Sequence, residues 1–80
     1  APVMASLASL KVGQAGIISG YTREDATTQR LMQLGLIEGE TIDVVRRAPA
    51  GDPMEVRVLG YSLSLRHSEA ETILVDANPA

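Results

Sequence analysis

Apolar residues along this chain recur at two spacings, and the switch between them marks out its elements. From Thr41 to Arg47, Ile42 and Val44 alternate with Asp43, Val45 and Arg47. From Met54 to Leu59, Met54, Val56 and Val58 alternate with Glu55, Arg57 and Leu59, and Tyr61, Leu63 and Leu65 repeat the pattern against Ser62, Ser64 and Arg66. Period-two alternation of this kind predicts antiparallel strands with one buried face. Gln14 to Gly20, carrying Ile17 and Ile18, and Ile73 to Asp76 read as two more strands. Leu31 and Leu34, three residues apart, instead share one face of a helix. That helix is expected to begin near Thr22 to Asp25, where Thr22 followed by Asp25 resembles a capping box and Glu24 and Asp25 suit the positive helix end.

The breaks between these runs are as informative as the runs. Gly35 stands where a helix closes on a left-handed residue, with Leu36 folding back towards Leu31. Gly39 fits a tight reversal, and Ala48 to Pro53 fits a hairpin loop whose Pro53 takes the first edge position of the next strand. Gly60 interrupts a strand pattern, and Ser68 to Glu71 reads as a capping box opening a single helical turn. Gly16 and Gly20 permit close backbone approach or a bulge. Leu7-Ala8-Ser9-Leu10 suits a short turn that tucks two leucines against the core. Ala1 to Ser6 and Ala77 to Ala80 are expected to be loose ends, leaving an ordered core of about residues 7–76 in a single domain spanning 1–80. Some five strands, one helix of about three turns and one short helical turn specify a mainly β fold curled into a small barrel.

Size and composition narrow this further. An 80-residue chain buries only about 60–65% of the surface its unfolded form exposes. The core must come from aliphatic residues, because Tyr21 and Tyr61 are the only aromatics. There is no cysteine, so disulfides and thiolate metal sites are out of reach, as a reducing cytosol would allow. With seven Lys and Arg against ten Asp and Glu, the net charge of −3 disfavours generic binding to phosphate backbones. No apolar stretch is long enough for direct membrane insertion as a helix, and no secretory signal opens the chain, so a cytoplasmic location is expected. Ala1-Pro2-Val3-Met4 fits either a native start with its Met removed or a cloning remnant.

Candidate chemistry is sparse. The phosphate-binding Gly-x-x-x-x-Gly-Lys pattern is missing, and Lys11 is the one lysine. Cys–His catalysis is excluded, and no serine has the strained setting that a triad with His67 would need. The carboxylates sit at turns and helix starts, where capping explains them. The chain is therefore expected not to be an enzyme and to require no cofactor. His67, Glu69 and Glu71 form the one candidate metal set, a weak surface site for adventitious Zn or Fe(II), since no second His or Cys completes it. The bland reading makes His67 a surface residue and Glu71 the cap of the turn that Ser68 begins. Arg46, Arg47, Arg57 and Arg66 read first as solvated strand faces paired in part with Asp43 and Glu55. Val45 and Leu59 lie by parity beside Arg47 and Arg57, so Val45, Arg47, Arg57, Leu59 and Tyr61 make a candidate partner-binding surface. A proline-peptide groove is disfavoured, because such grooves are lined with aromatics.

Taken in order, these marks carry a family likeness. The chain reads Leu7-x-x-Leu10-x-x-Gly13-x-x-Gly16-x-Ile18, then Arg30-Leu31-x-x-Leu34-Gly35-Leu36-x-x-Gly39 and Ala48-Pro49-x-Gly51-Asp52-Pro53. It continues Val56-x-Val58-x-Gly60-x-x-Leu63-x-Leu65-Arg66-x-x-Glu69-Ala70-x-x-Ile73-x-Val75. From Leu7 to Val75 this resembles the ferrous iron transport protein A (FeoA) family, with one departure at Glu38, where the family often has proline. The resemblance implies an SH3-like β-barrel with an inserted helix, acting as a cytosolic accessory protein of bacterial ferrous iron uptake. It implies docking on the membrane transporter FeoB, at or near its cytosolic GTP-binding domain, with recruitment to the inner membrane face; weak self-association is compatible with it. A second reading is a metal-responsive domain binding a transition metal directly, like the similar module of iron-dependent repressors. That module follows a DNA-binding domain, for which this sequence offers no helix-turn-helix.

Overall fold

The alternating segments pair into one bent antiparallel sheet in the computed structural model, which describes residues 3–77. The strands are β1 (Val3–Ser6), β2 (Ala15–Tyr21), β3 (Thr41–Arg47), β4 (Met54–Val58), β5 (Tyr61–Leu65) and β6 (Ile73–Ala77), in the spatial order β1-β6-β2-β3-β4-β5. Helix α1 (Ala26–Gln33) joins β2 to β3, and the single turn α2 (His67–Ala70) joins β5 to β6. A one-turn 3-10 helix, Leu7–Ser9, follows β1 and buries Leu7 completely. The mainly β fold with an inserted helix is the expected one. The sheet has six strands where five were counted, and β1 and β5 each pair with one neighbour, so the curl stops short of closure.

The extra strand is β1. Val3–Ser6, expected to be loose, runs antiparallel to β6 with Val3 opposite Ala77 and Ser6 opposite Leu74. Residues 1, 2 and 78–80, the remainder of the expected loose ends, lie outside the described residues.

The inward faces meet in one aliphatic core. Ile42, Val44, Val56, Val58, Ile73 and Val75 are at most 1% exposed, and Leu31 and Leu36 close its helical side. Burying a side chain of this size contributes about 1.5–3 kcal/mol, which is what an 80-residue chain without disulfides has to rely on. Two bulges bend the sheet: one between Ile18 and Gly20 in β2, the other between Val44 and Arg46 in β3. An extra residue on one strand increases local twist and reverses the side-chain alternation beyond it.

That reversal corrects one face assignment. Val45 is the extra residue, so beyond it Arg46 lies opposite Glu55 and Arg47 opposite the buried Met54. Arg47 thus turns towards the core side, and its Nη2 donates to the carbonyl oxygens of Ala8 and Leu10, both at 2.6 Å.

The helix starts also differ from expectation. Asp25 is the N-cap of α1: its Oδ1 accepts from the Thr28 amide at 3.0 Å, while Thr28 Oγ1 accepts from the Asp25 amide at 2.9 Å. The capping box is therefore Asp25 with Thr28, and α1 spans eight residues, a little over two turns. At α2 the N-cap is Arg66 rather than Ser68, and Glu69 Oε1 accepts from the Arg66 amide at 2.9 Å.

Candidate docking surface

The end of α1 and the turn between β4 and β5 converge on Gly35. At the helix end the Leu36 amide donates to the Leu31 carbonyl at 3.2 Å and the Gly35 amide to that of Met32 at 3.0 Å. With φ of 104° at Gly35, this is the Schellman closure its position predicted. Leu31 and Leu36, both fully buried, complete it, whereas Leu34 stays 36% exposed.

Across from this closure lies Leu59. Val58 pairs with Tyr61, so Leu59 and Gly60 form a two-residue hairpin turn, with φ of 53° and 82°. Two successive positive φ values identify a type I′ turn, which usually carries Asn, Asp or Gly. A leucine in the left-handed region costs roughly 1–2 kcal/mol, and Leu59 does not offset that by burial, being 57% exposed. Its side chain lies over the glycine: Leu59 Cδ1 is 2.8 Å, and the Tyr61 hydroxyl 3.2 Å, from where a Cβ on Gly35 would stand. Leu59 and Tyr61, both partly exposed, therefore meet over Gly35, and Leu34 and Ile37 are exposed within two residues of it along the chain.

Beneath this patch Tyr21 anchors the loop after α1. Its hydroxyl donates to the Leu36 carbonyl at 2.5 Å, and burial pushes the phenol up from 10.0 to about 12.

The five residues read from parity as a partner surface fall in different places. Leu59 and Tyr61 come together at Gly35. Arg57 faces outward between Asp43 and Ser62. Val45 is the half-buried bulge residue, and Arg47 is tied to Ala8 and Leu10. Sequence reasoning did not gather Leu34, Ile37 and Gly35 into this surface. The one available signal was Gly60 between two alternating runs; Leu59 itself gave none.

Of the candidate metal ligands, His67 and Glu71 are brought together at the two ends of the single turn, with Nε2 and Oε1 2.7 Å apart. Glu69 is engaged elsewhere, one oxygen accepting from the Arg66 amide and the other paired with Arg30. Asp52 accepts from the His67 amide at 2.9 Å. Among the described residues no three His, Asp or Glu side chains converge as a metal set.

Comparison with known proteins fits this geometry. The FeoA domain family matches residues 5–77. A Fe(2+) transport protein A/Fe(2+) transporter FeoB fusion protein of Porphyromonas gingivalis is 33% identical over 70 residues, covering 88% of this chain; the chain spans 8% of that relative's length. The FeoA-like protein of Clostridium acetobutylicum is 34% identical with a TM-score of 0.90, over 96% of this chain and 90% of that one. FeoA of Stenotrophomonas maltophilia, solved with zinc and described as a procaryotic SH3 domain protein, is 31% identical with a TM-score of 0.78, over 89% of this chain and 88% of that one. The small, bent sheet is accordingly SH3-like, and the chain belongs to the FeoA domain family.

Proposed function

We propose that this protein is a non-enzymatic accessory of ferrous iron uptake, acting on the cytosolic side by docking on a FeoB-type transporter. The observation that carries this reading is the P. gingivalis relative, in which a matching segment and the transporter are one polypeptide. Linking two modules raises their effective concentration, which is useful where they work in contact. Apolar side chains held out of the core near Gly35, one of them on a turn that strains its backbone, support a contact of this kind. Strain of this kind gathers at sites where a side chain's placement matters more than stability.

Titration against the cytosolic GTP-binding domain of such a transporter tests the proposal. Association is expected, and Leu59→Asp should abolish it while leaving the fold intact. No association with wild-type protein, with or without guanine nucleotide, would sink the reading.

A metal-responsive role is the second reading, supported by the zinc-bound S. maltophilia relative and by the adjacent His67 and Glu71. An imidazole with one carboxylate falls short of the three or four protein ligands of zinc sites. His67→Ala should therefore remove any zinc binding seen by calorimetry, and stoichiometric binding that survives it would discard His67 as the anchor.

A further inference from the structure

Next to the Gly35 patch, and sharing Ile37 with it, lies a cleft of about 250 Å³ lined by Gly20, Tyr21, Glu24, Met32, Ile37 and Glu38. It falls below the roughly 300–1,000 Å³ typical of small-molecule sites, so it suits a single long side chain better than a cofactor. Its walls are apolar: the Tyr21 ring is fixed by the hydroxyl's bond to Leu36, Met32 is half-buried on α1, and Ile37 is 46% exposed. Its rim is acidic.

The two rim carboxylates are exposed, and neither makes an ion pair among the described residues. This separates them from Asp25, Glu55, Glu69 and Glu71, each of which is paired with a cation or His67. Arg23, adjacent to Glu24 in sequence, turns to Asp25 instead, at 2.7 Å. The cleft thus presents an apolar slot with negative charge at its mouth, on a chain whose net charge is −3.

We propose that this cleft receives an arginine or lysine side chain from an apolar segment of the docked protein partner. Long cationic side chains lay their methylene stems along apolar walls and keep the charged head at the rim, and complementary charge fixes register and speeds encounter. Leu34, Ile37, Leu59 and Tyr61 then cover the apolar residues flanking that cation. The proposal rests on the docking reading above and specifies the partner's chemistry.

Amide shifts of isotope-labelled protein would be followed during titration with a short peptide alternating leucine and arginine, and with its leucine–glutamate counterpart. Saturable shifts at Tyr21, Met32 and Ile37 are expected with the basic peptide alone. The double variant Glu24→Gln/Glu38→Gln should weaken its binding by about tenfold. The control Asp43→Asn/Glu71→Gln, which removes the same charge elsewhere, should not. Equal weakening by both pairs, shifts that miss the cleft, or equal binding of the acidic peptide would overturn the proposal.

The transporter's GTP-binding domain separates the two levels. If it binds wild type and the cleft double variant equally, docking stands and the cleft proposal is overturned. If the basic peptide enters the cleft but the domain does not bind, the cleft's chemistry is supported and the transporter is lost as its source.

Discussion

Gly35 and Leu59 hold complementary exceptions to ordinary backbone rules. Gly35 needs positive φ for the helix closure and lacks the Cβ that would strike Leu59; Leu59 accepts positive φ to reach over it. Gly35→Val should therefore destabilise the fold by about 2 kcal/mol or more, combining left-handed strain with displacement of Leu59. Urea denaturation measures this, and a loss under about 0.5 kcal/mol would show that the closure relaxes freely. Tyr21 supplies a pH signature from the same region. Its phenol holds the proton more tightly when folded, so the stability it contributes is complete below pH 10.0 and is lost as pH climbs towards about 12. Tyr21→Phe should flatten that alkaline loss in thermal melts recorded across the range; an unchanged profile would assign the loss to other groups. Of the two exceptions, Gly35 was legible in the sequence because few residues besides glycine suit its conformation. Leu59 was not, because nothing in a leucine announces positive φ.

Among the elements, the bulge in β3 decides most of what the alternation pattern misses. Strict period two placed Arg47 outward beside Val45; one extra residue sends Arg47 inward and makes it the clamp between β3 and the turn at Leu7–Ser9. Bulges leave little trace in a sequence of alternating residues, so this part of the candidate surface was not readable from parity. The strands themselves were, because Ile42, Val44, Val56 and Val58 obey the alternation where the sheet is regular. Strand β1 escaped for a different reason: four residues without alternation carry no period, and β6 alone gives them structure. Thr22-x-x-Asp25 and Asp25-x-x-Thr28 are both plausible caps, and only the extended backbone of Asp25 chooses between them.

The neighbouring arginines give this argument a direct test. Arg47→Leu loses two charge-assisted bonds from a half-buried position and should cost about 2 kcal/mol. Arg46→Leu loses only an exposed pair with Glu55 and should cost under about 1 kcal/mol. Similar losses for both in chemical denaturation would mean that the clamp adds little.

At the scale of the whole molecule, the candidate docking surface is built onto the helix closure that seals the core. The aliphatic core lies on the sheet's inner side, while Leu34 and Ile37 at the end of α1 and Leu59 and Tyr61 at the β4–β5 hairpin are exposed, as are Val12 and Ile17 elsewhere. The fold was legible because its core obeys simple periodicities. The candidate docking surface was mostly hidden, because it draws on Leu34 and Ile37 at the end of α1 and on Leu59 and Tyr61 at the β4–β5 hairpin, segments that meet at Gly35 only after the chain has curled.

Because β1 runs antiparallel beside β6, with Val3 facing Ala77, the chain enters and leaves the sheet at one spot. The order in which its elements are strung together should then matter little to their arrangement. A circular permutant with its ends joined by a short flexible linker, and reopened between the exposed Pro49 and Ala50, should refold to the same sheet. Matching amide spectra would be the outcome to look for, and loss of the β1–β6 pairing would show that the original order is needed.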